Sequence, residues 1–413
     1  MRVLLIANYF PPYGFVGGAE VANYHTCQGL LREGVDCHFL AVNHRLADVF
    51  DQRYALNGIP VRWVSLPSRE RKPSTDVYDR RVYRIVRQEL ARLRPDLVHI
   101  HNVSGATLAP YAACQAVGVP VVNTLHDLWL LCPNNMLYRP GGAFCNPARQ
   151  APRCRTCFTR YDFWGDVRGR RSLFAKLTSN VQTFISPSQA YIDQHVQAGY
   201  AVERFRLIPY GLMRAETLKP ANPDVREIVE TAHRHRTLVF AAGGYEHKGA
   251  AILLRAMPML LGRVDQLRLV VAGSGDETLL TQFRMLGPAV RTIGKVPFAD
   301  MRALFASADL TVLPSIWYDN SPVVIYENLQ VGTPVLGSAF GGIPELIREG
   351  DTGYTFPVGD AAALAERVML HFARPSHERR RMRQRCVEEA QTRLSLEAHT
   401  GRVVAVYREA LAR

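Results

Sequence analysis

The apolar positions of this chain fall in short unbroken runs rather than in strict alternation. Residues 3–7 form one such run, a Pro-Pro-Tyr-Gly loop follows, and residues 19–31 then show apolar positions at helical spacing up to Gly34. The unbroken run returns at 35–42, 97–101 and 121–125. A strand buried on both faces needs no polar alternation, so such runs separated by helical stretches predict a parallel sheet with helices on both sides. The same grammar restarts after the Ile208-Pro209-Tyr210-Gly211 break, with runs at 238–242, 267–272, 310–313 and 334–337. The expected α/β architecture is therefore two doubly wound, Rossmann-like domains, residues 1–208 and 209–390, facing across a cleft at the carboxyl ends of their strands. A helix over 391–413 completes the chain, and the sequence does not fix its docking.

Length agrees with this division, because 413 residues exceed what one hydrophobic core usually serves. Apolar residues at 47% and charged residues at 21% describe an ordinary globular chain. The run at 3–7 is too short for a signal-peptide core, and no window approaches the roughly 18 apolar residues of a membrane span, so a cytoplasmic protein is expected. The net charge of +13 is uneven: residues 1–190 hold 23 Lys/Arg against 13 Asp/Glu, the remainder 27 against 24. Such a surplus suits phosphate-bearing ligands or an anionic bilayer. No zinc-finger, RNP or helix-turn-helix signature is present, so nucleic acid is not an expected partner.

The chemistry concentrates in a few places. In residues 317–335, Ser321 reads as an N-cap and Pro322 as the first helical residue, with Gly332 and Pro334 ending the helix. Asp319 then precedes the cap and Glu327 lies one to two turns in, so two carboxylates can face one crevice at different depths. Glycine pairs follow strands or open helices at Gly17-Gly18, Gly243-Gly244 and Gly341-Gly342, where exposed amides favour an anion. Gly273-Ser274-Gly275 reads as a tight turn. Lys248, just before Gly249, is placed to meet a phosphate as a point charge.

Taken with the 96–101 strand, His126-Asp127, His247-Lys248-Gly249, Ser307-Ala308-Asp309, Pro314-Ser315 and the segment 341–345, these motifs resemble family 4 retaining glycosyltransferases of the GT-B fold over nearly the whole chain. The resemblance implies transfer of a sugar from a UDP- or GDP-sugar to a saccharide, lipid-linked or natural-product acceptor. It implies that Glu327 holds the ribose hydroxyls, that Asp319 holds donor-sugar hydroxyls, and that Lys248 and the amides of Gly341 and Gly342 stabilise the departing diphosphate. Gly17, Gly18 and Gly243 would line the donor site, and His126 would sit beside the reacting centre. The chain departs from the family pattern in two of these places. The family usually has Glu where Asp319 stands, and an Arg five residues before its Lys, where this chain has Gly243; His247 and Arg255 are the nearest replacements in sequence. That departure keeps open an epimerase, a hydrolase or a weakly active sugar-nucleotide-binding protein. A glycosidase is disfavoured because its acid must be protonated and both carboxyls must flank the bond. A dehydrogenase is disfavoured because no G-x-G-x-x-G follows the first strand.

Four of the eight cysteines, Cys27, Cys37, Cys114 and Cys386, read as buried thiols. Cys132, Cys145, Cys154 and Cys157 cluster in a polar insert, residues 132–157, and suit a structural zinc, or else an iron–sulfur cluster or plain thiols; no catalytic metal is expected. Two basic stretches, 79–93 and 168–176, set arginines beside apolar stripes. They read either as helices packed on the sheet or as peripheral contacts with an anionic membrane.

Overall fold

The computed structural model describes the 413 residues except 13–16, 45–47, 68–76, 133–134, 139–143, 146–166, 215–218 and 244–245, with backbone alone at 167–171 and 243. The chain divides into two compact units, Met1–Leu212 with Leu396–Arg413, and Met213–Ser395.

The first unit carries one sheet of eight described strands: β1 (Arg2–Ala7), β2 (Asp36–Asn43), β3 (Phe50–Leu56), β4 (Ile59–Ser65), β5 (Leu97–Ile100), β6 (Val121–Thr124), β7 (Val181–Ser186) and β8 (Phe205–Leu207). Their order is β3-β4-β2-β1-β5-β6-β7-β8. Only the β3/β4 pair among them is antiparallel. β1 shows why its run is unbroken: Leu4 and Ile6 pack on the helix Arg80–Leu93 side, while Val3, Leu5 and Ala7 pack with Cys27 and Leu30 of the helix Gly18–Arg32. Alternate residues point to opposite faces, and here both faces are covered. The helix Leu396–Leu411 returns to this unit, with Val403, Val404 and Tyr407 in the same layer as Cys27. Pro209 and Tyr210 belong here as well, because His399 Nδ1 bonds the Pro209 carbonyl at 2.8 Å and Tyr210 bonds His126 at 2.7 Å. The break at 208/209 therefore precedes the actual division by a few residues.

The second unit has six described strands, all parallel: β9 (Arg236–Gly243), β10 (Leu267–Ser274), β11 (Val290–Gly294), β12 (Leu310–Leu313), β13 (Val335–Ser338) and β14 (Gly353–Phe356). Their order β11-β10-β9-β12-β13-β14 is the 3-2-1-4-5-6 winding of a doubly wound sheet, which places its topological switch between β9 and β12. In β9, Leu238 and Phe240 join the core with the helix Ala250–Leu260, and Val239 joins the opposite layer with Ala303 and Leu304.

The expected runs appear as β1, β2, β5, β6, β9, β10, β12 and β13. The strands without such a run include all four sheet edges, β3, β8, β11 and β14. An edge strand has a neighbour on one side only and is kept partly polar, so it lacks the unbroken run; β3 is exposed or half-exposed throughout. No helix among the described residues is long and apolar enough to cross a membrane. The apolar stripe of helix Arg80–Leu93, with Val82, Val86, Leu90 and Leu93, is spent on the sheet, and its exposed positions are Arg80, Arg84, Gln88, Ala91 and Arg92.

Candidate functional site

The switch of the second sheet sets two loops side by side: the one from β9 to helix Ala250–Leu260, and the one from β12 to helix Val323–Gln330. Ile316 donates its amide to the His247 carbonyl (3.0 Å), and Gly249 lets the loops approach so closely that a Cβ there would lie 1.8 Å from the Pro314 carbonyl oxygen. With φ of +79°, Gly249 also needs the left-handed region that side chains disfavour.

This stitching brings Lys248 and Asp319, 71 residues apart, into an ion pair of 2.8 Å between Nζ and Oδ2. The same oxygen accepts the Trp317 indole N–H at 2.8 Å, and Lys248 Nζ stands 4.6 Å from the centre of that indole ring. Asp319 is thereby fixed from two sides, with its side chain 9% exposed. Trp317 was not singled out by its sequence; the signal for it was only its place two residues before Asp319.

Neither replacement for the family's arginine adds a cation here. Arg255 donates to the Gly359 carbonyl (3.2 Å), and the His247 ring lies edge-on to Trp317 with its pKa lowered by burial and by Lys248. Gly243 is the last residue of β9, and Gly244 lies outside the described residues. Gly273, one residue before the end of β10, has its backbone tight against Ala242, a packing position.

Gly341 and Gly342 close the other side of Asp319. The Gly342 amide donates to the Asp319 carbonyl (2.8 Å), and a Cβ on Gly341 would stand 2.3 Å from that same oxygen. The Gly342 amide is thus committed to positioning Asp319 rather than to a diphosphate. Helix Val323–Gln330 begins one residue later than its sequence suggests: Pro322 is the N-cap, and Ser321 shares a hydrogen bond with the Tyr326 hydroxyl (2.6 Å). Its C-terminus is a Schellman turn, with Gly332 N–H on Leu329 C=O (3.1 Å) and Thr333 N–H on Asn328 C=O (2.9 Å).

Glu327 lies in the second turn of the same helix, outside the hydrogen bonds of the Lys248–Asp319 pair. Dense packing raises its pKa to about 7, opposed by Arg302 of helix Phe298–Ser307. A carboxyl poised there binds hydroxyl groups as an acceptor when ionised.

In the first unit, Gly17 caps helix Gly18–Arg32, and its amide donates to Glu20 Oε2 at 2.9 Å, so a carboxylate already occupies that amide. Glu20 is buried and its pKa is raised, chiefly by desolvation. At the β1/β5 switch, Asn8 donates to Asn102 Oδ1 (2.7 Å) and accepts from the Gly105 amide (2.7 Å), tying the loops together. His126 shares Nε2 with His101 Nδ1 (2.9 Å) and Nδ1 with the Tyr210 hydroxyl (2.7 Å). Burial lowers its pKa to about 3. Near pH 7 it is therefore a neutral ring engaged at both nitrogens.

Cys27, Cys37, Cys114 and Cys386 are buried, as their positions predict. Of the insert cysteines, Cys132 and Cys145 are half-buried, Cys145 directly after the isolated bridge between Tyr138 and Phe144, while Cys154 and Cys157 lie outside the described residues. Among the described residues no group of three or more His, Cys, Asp or Glu is arranged to hold a metal.

Residues 16–213 match the profile described as Glycosyltransferase Family 4, and residues 222–393 that described as Glycosyl transferases group 1. A phosphatidyl-myo-inositol mannosyltransferase of Mycobacterium leprae is 34% identical over 137 residues, covering 32% of this chain and 36% of the relative; the match thus spans about a third of that protein. An uncharacterized 42.6 kDa protein in the cps region of Klebsiella pneumoniae is 22% identical over 84% of this chain and 88% of its own length. Among solved structures, Anabaena Alr3699/HepE in complex with UDP superposes with a TM-score of 0.71 at 19% identity, over 99% of this chain and 100% of that one. Sucrose-phosphate synthase from Thermosynechococcus elongatus superposes at 0.72 with 18% identity, over 100% and 99%.

Proposed function

The chain belongs to glycosyltransferase family 4, with the two parallel-sheet domains of the GT-B fold, and on that premise we propose that it transfers a sugar from a UDP- or GDP-sugar to a saccharide, lipid-linked or natural-product acceptor with retention of configuration. The observation that carries this reading is the Lys248–Asp319–Trp317 cluster at the switch of the second sheet, where ligands of doubly wound folds bind. It is supported by the UDP and UDP-glucose complexes of the Anabaena neighbour.

In this reading Lys248 exchanges Asp319 for the donor diphosphate, and Asp319, still held by Trp317, turns to the hydroxyls of the donor sugar. Lys248, helped by the Gly341 amide, neutralises charge that grows on the diphosphate as the anomeric carbon–oxygen bond breaks. The acceptor oxygen bonds to that carbon on the same face, and its proton passes to the departing diphosphate. Glu327 grips the ribose. His126 enters this reading as a neutral ring, its pKa lowered by burial. The four insert cysteines hold a structural zinc or an iron–sulfur cluster, a role that metal analysis of the purified chain tests. The proposed setting is the cytoplasm, with arginine-mediated contact to a membrane surface where the acceptor is lipid-linked. Incubation with UDP- and GDP-sugars, with and without candidate acceptors, tests the activity: acceptor-dependent nucleotide release supports transfer, and release that needs no acceptor contradicts it.

A further inference from the structure

We propose that the first unit carries a second anion site, remote from the carboxyl ends of its strands, that binds a phosphate ester between helix Arg80–Leu93 and the β2/β4/β3 side of the sheet. A pocket of about 180 Å³ opens there, lined by Arg53, Arg62, Arg92, Glu89 and His38; Phe39 and Val61 also line it, though their side chains pack in the opposite layer with Cys27 and Leu30. Its volume equals that of about six waters, enough for a phosphate with a small organic group.

The charge within it does not balance. Arg53, Arg62 and Arg92 all converge on Glu89: Arg53 donates through both terminal nitrogens (3.1 and 2.8 Å), Arg62 through Nη1 (3.1 Å), and Arg92 through Nε (3.0 Å). Burial alone would raise the Glu89 pKa, but Arg53, Arg92 and Arg62 bring it to about 2, so the carboxylate stays charged and fully neutralised. Arg62 spends its other nitrogens on Asp51, which is outside the lining (2.7 and 3.0 Å). With Asp51 counted beside its partner Arg62, three guanidiniums meet two carboxylates, leaving one positive charge in excess. Each guanidinium has five N–H donors, so Arg53 and Arg92, whose side chains are 48% and 49% exposed, keep donors for an incoming ligand. His38 adds a second signal: its Nδ1 is buried with no hydrogen-bond partner among the described residues, while its Nε2 is held by Asp36 (3.0 Å).

The position separates this pocket from the proposed donor and acceptor chemistry. His38 and Phe39 lie in the first half of β2, and Val61 and Arg62 in the first half of β4, whereas ligands of doubly wound sheets bind beyond the carboxyl ends. Glu89 and Arg92 come from the last turns of their helix. The site is prearranged, because buried Glu89 holds the guanidiniums in place before any ligand arrives.

The phosphate can belong to a soluble ester or to a lipid headgroup. The test uses the full chain with inorganic phosphate, with glycerol phosphate, and with phosphatidylcholine vesicles with or without phosphatidic acid. Melting temperature in phosphate is compared with chloride at equal ionic strength, and vesicle binding is followed by flotation. A saturable rise in Tm, or flotation that needs phosphatidic acid, is expected for the native chain and for Lys248→Ala, which removes the diphosphate contact of the proposed donor site. R53Q/R92Q should weaken the response about tenfold or more per arginine, and R80Q/R84Q, altered on the same helix outside the pocket, should keep it. Circular dichroism in chloride establishes that R53Q/R92Q is folded; if it is not, R53K alone, which keeps charge but loses the planar fork, is read instead. An unchanged response in the pocket variant, loss of the response in K248A, or no saturable response of the native chain to any of the three probes overturns the proposal.

Discussion

Trp317 is the residue on which the site's geometry turns, because one indole N–H fixes Asp319 while the ring face carries Lys248. Trp317→Phe keeps the ring and removes the N–H, so kcat/KM should fall about tenfold with little change in Tm; steady-state kinetics and thermal melting check this. The motif residues Lys248, Asp319 and Glu327 could be named from the chain alone. What could not be read was that Asp319 pairs with Lys248 while burial, partly offset by the charge of Arg302, sets the ionisation of Glu327, because both effects come from other elements of the fold. The commitment of the Gly17 and Gly342 amides was equally hidden, since a glycine pair in sequence looks the same whether its amides are spent or open. Glu327 supplies a pH test. Its pKa is raised to about 7 in the folded chain, so it is protonated below that pH and ionised above it. If it accepts the ribose hydroxyls, nucleotide affinity should rise between about pH 6 and pH 8 and level off, and Glu327→Gln should flatten the profile. Calorimetric titrations across that range decide it.

At the level of elements, the two loops at the β9/β12 switch act as one unit held by Gly249. Gly249→Ala would put a Cβ 1.8 Å from the Pro314 carbonyl oxygen, so something must move. The expected result is loss of the Lys248–Asp319 register and of nucleotide binding, together with a Tm lowered by several degrees, measured by scanning calorimetry with and without nucleotide. Most interior strands were legible because burial on both faces writes an unbroken apolar run, as in β1 and β9; β4 and β7 were not, because Arg62 and the pair Gln182 and Thr183 interrupt theirs. The edges were not, because β3 and β11 keep polar residues toward solvent. The start of helix Val323–Gln330 misled by one residue because Ser321 spends its hydroxyl on Tyr326 rather than on the helix amides. The helix Leu396–Leu411 could not be docked from sequence, since its partners, His99 with Tyr407 (2.6 Å) and Thr26 with His399 (3.0 Å), lie more than 300 residues away.

For the whole molecule, buried histidines are unevenly shared. His126 has its pKa lowered to about 3 and His195 and His399 to about 4, and His99 and His101 are also well below the usual range, all in the first unit and all chiefly through burial. In the second unit His371 is lowered to about 3, while Glu327 is raised to about 7. A base with a lowered pKa contributes stability that is complete above about pH 6.5 and is lost as pH falls toward the folded value, because the unfolded chain takes up the proton first. A carboxyl with a raised pKa works the other way, favouring the folded state below about pH 4.5 and losing that contribution as pH rises through 7. Acidification from pH 7 to about pH 5 should therefore open the first unit before the second, which hydrogen exchange resolved along the chain measures. Deleting the helix Leu396–Leu411 should likewise destabilise the first unit selectively.

The second unit is proposed to recognise a nucleotide sugar through the groups gathered by Lys248, Asp319 and Glu327. The most direct test of this is calorimetric titration of a panel of UDP- and GDP-sugars into the full chain and into its Glu327→Ala variant. Saturable heat is expected for at least one donor, with a loss of about tenfold or more in affinity in the variant. Saturable heat for none of them, or identical binding by the two chains, would contradict it.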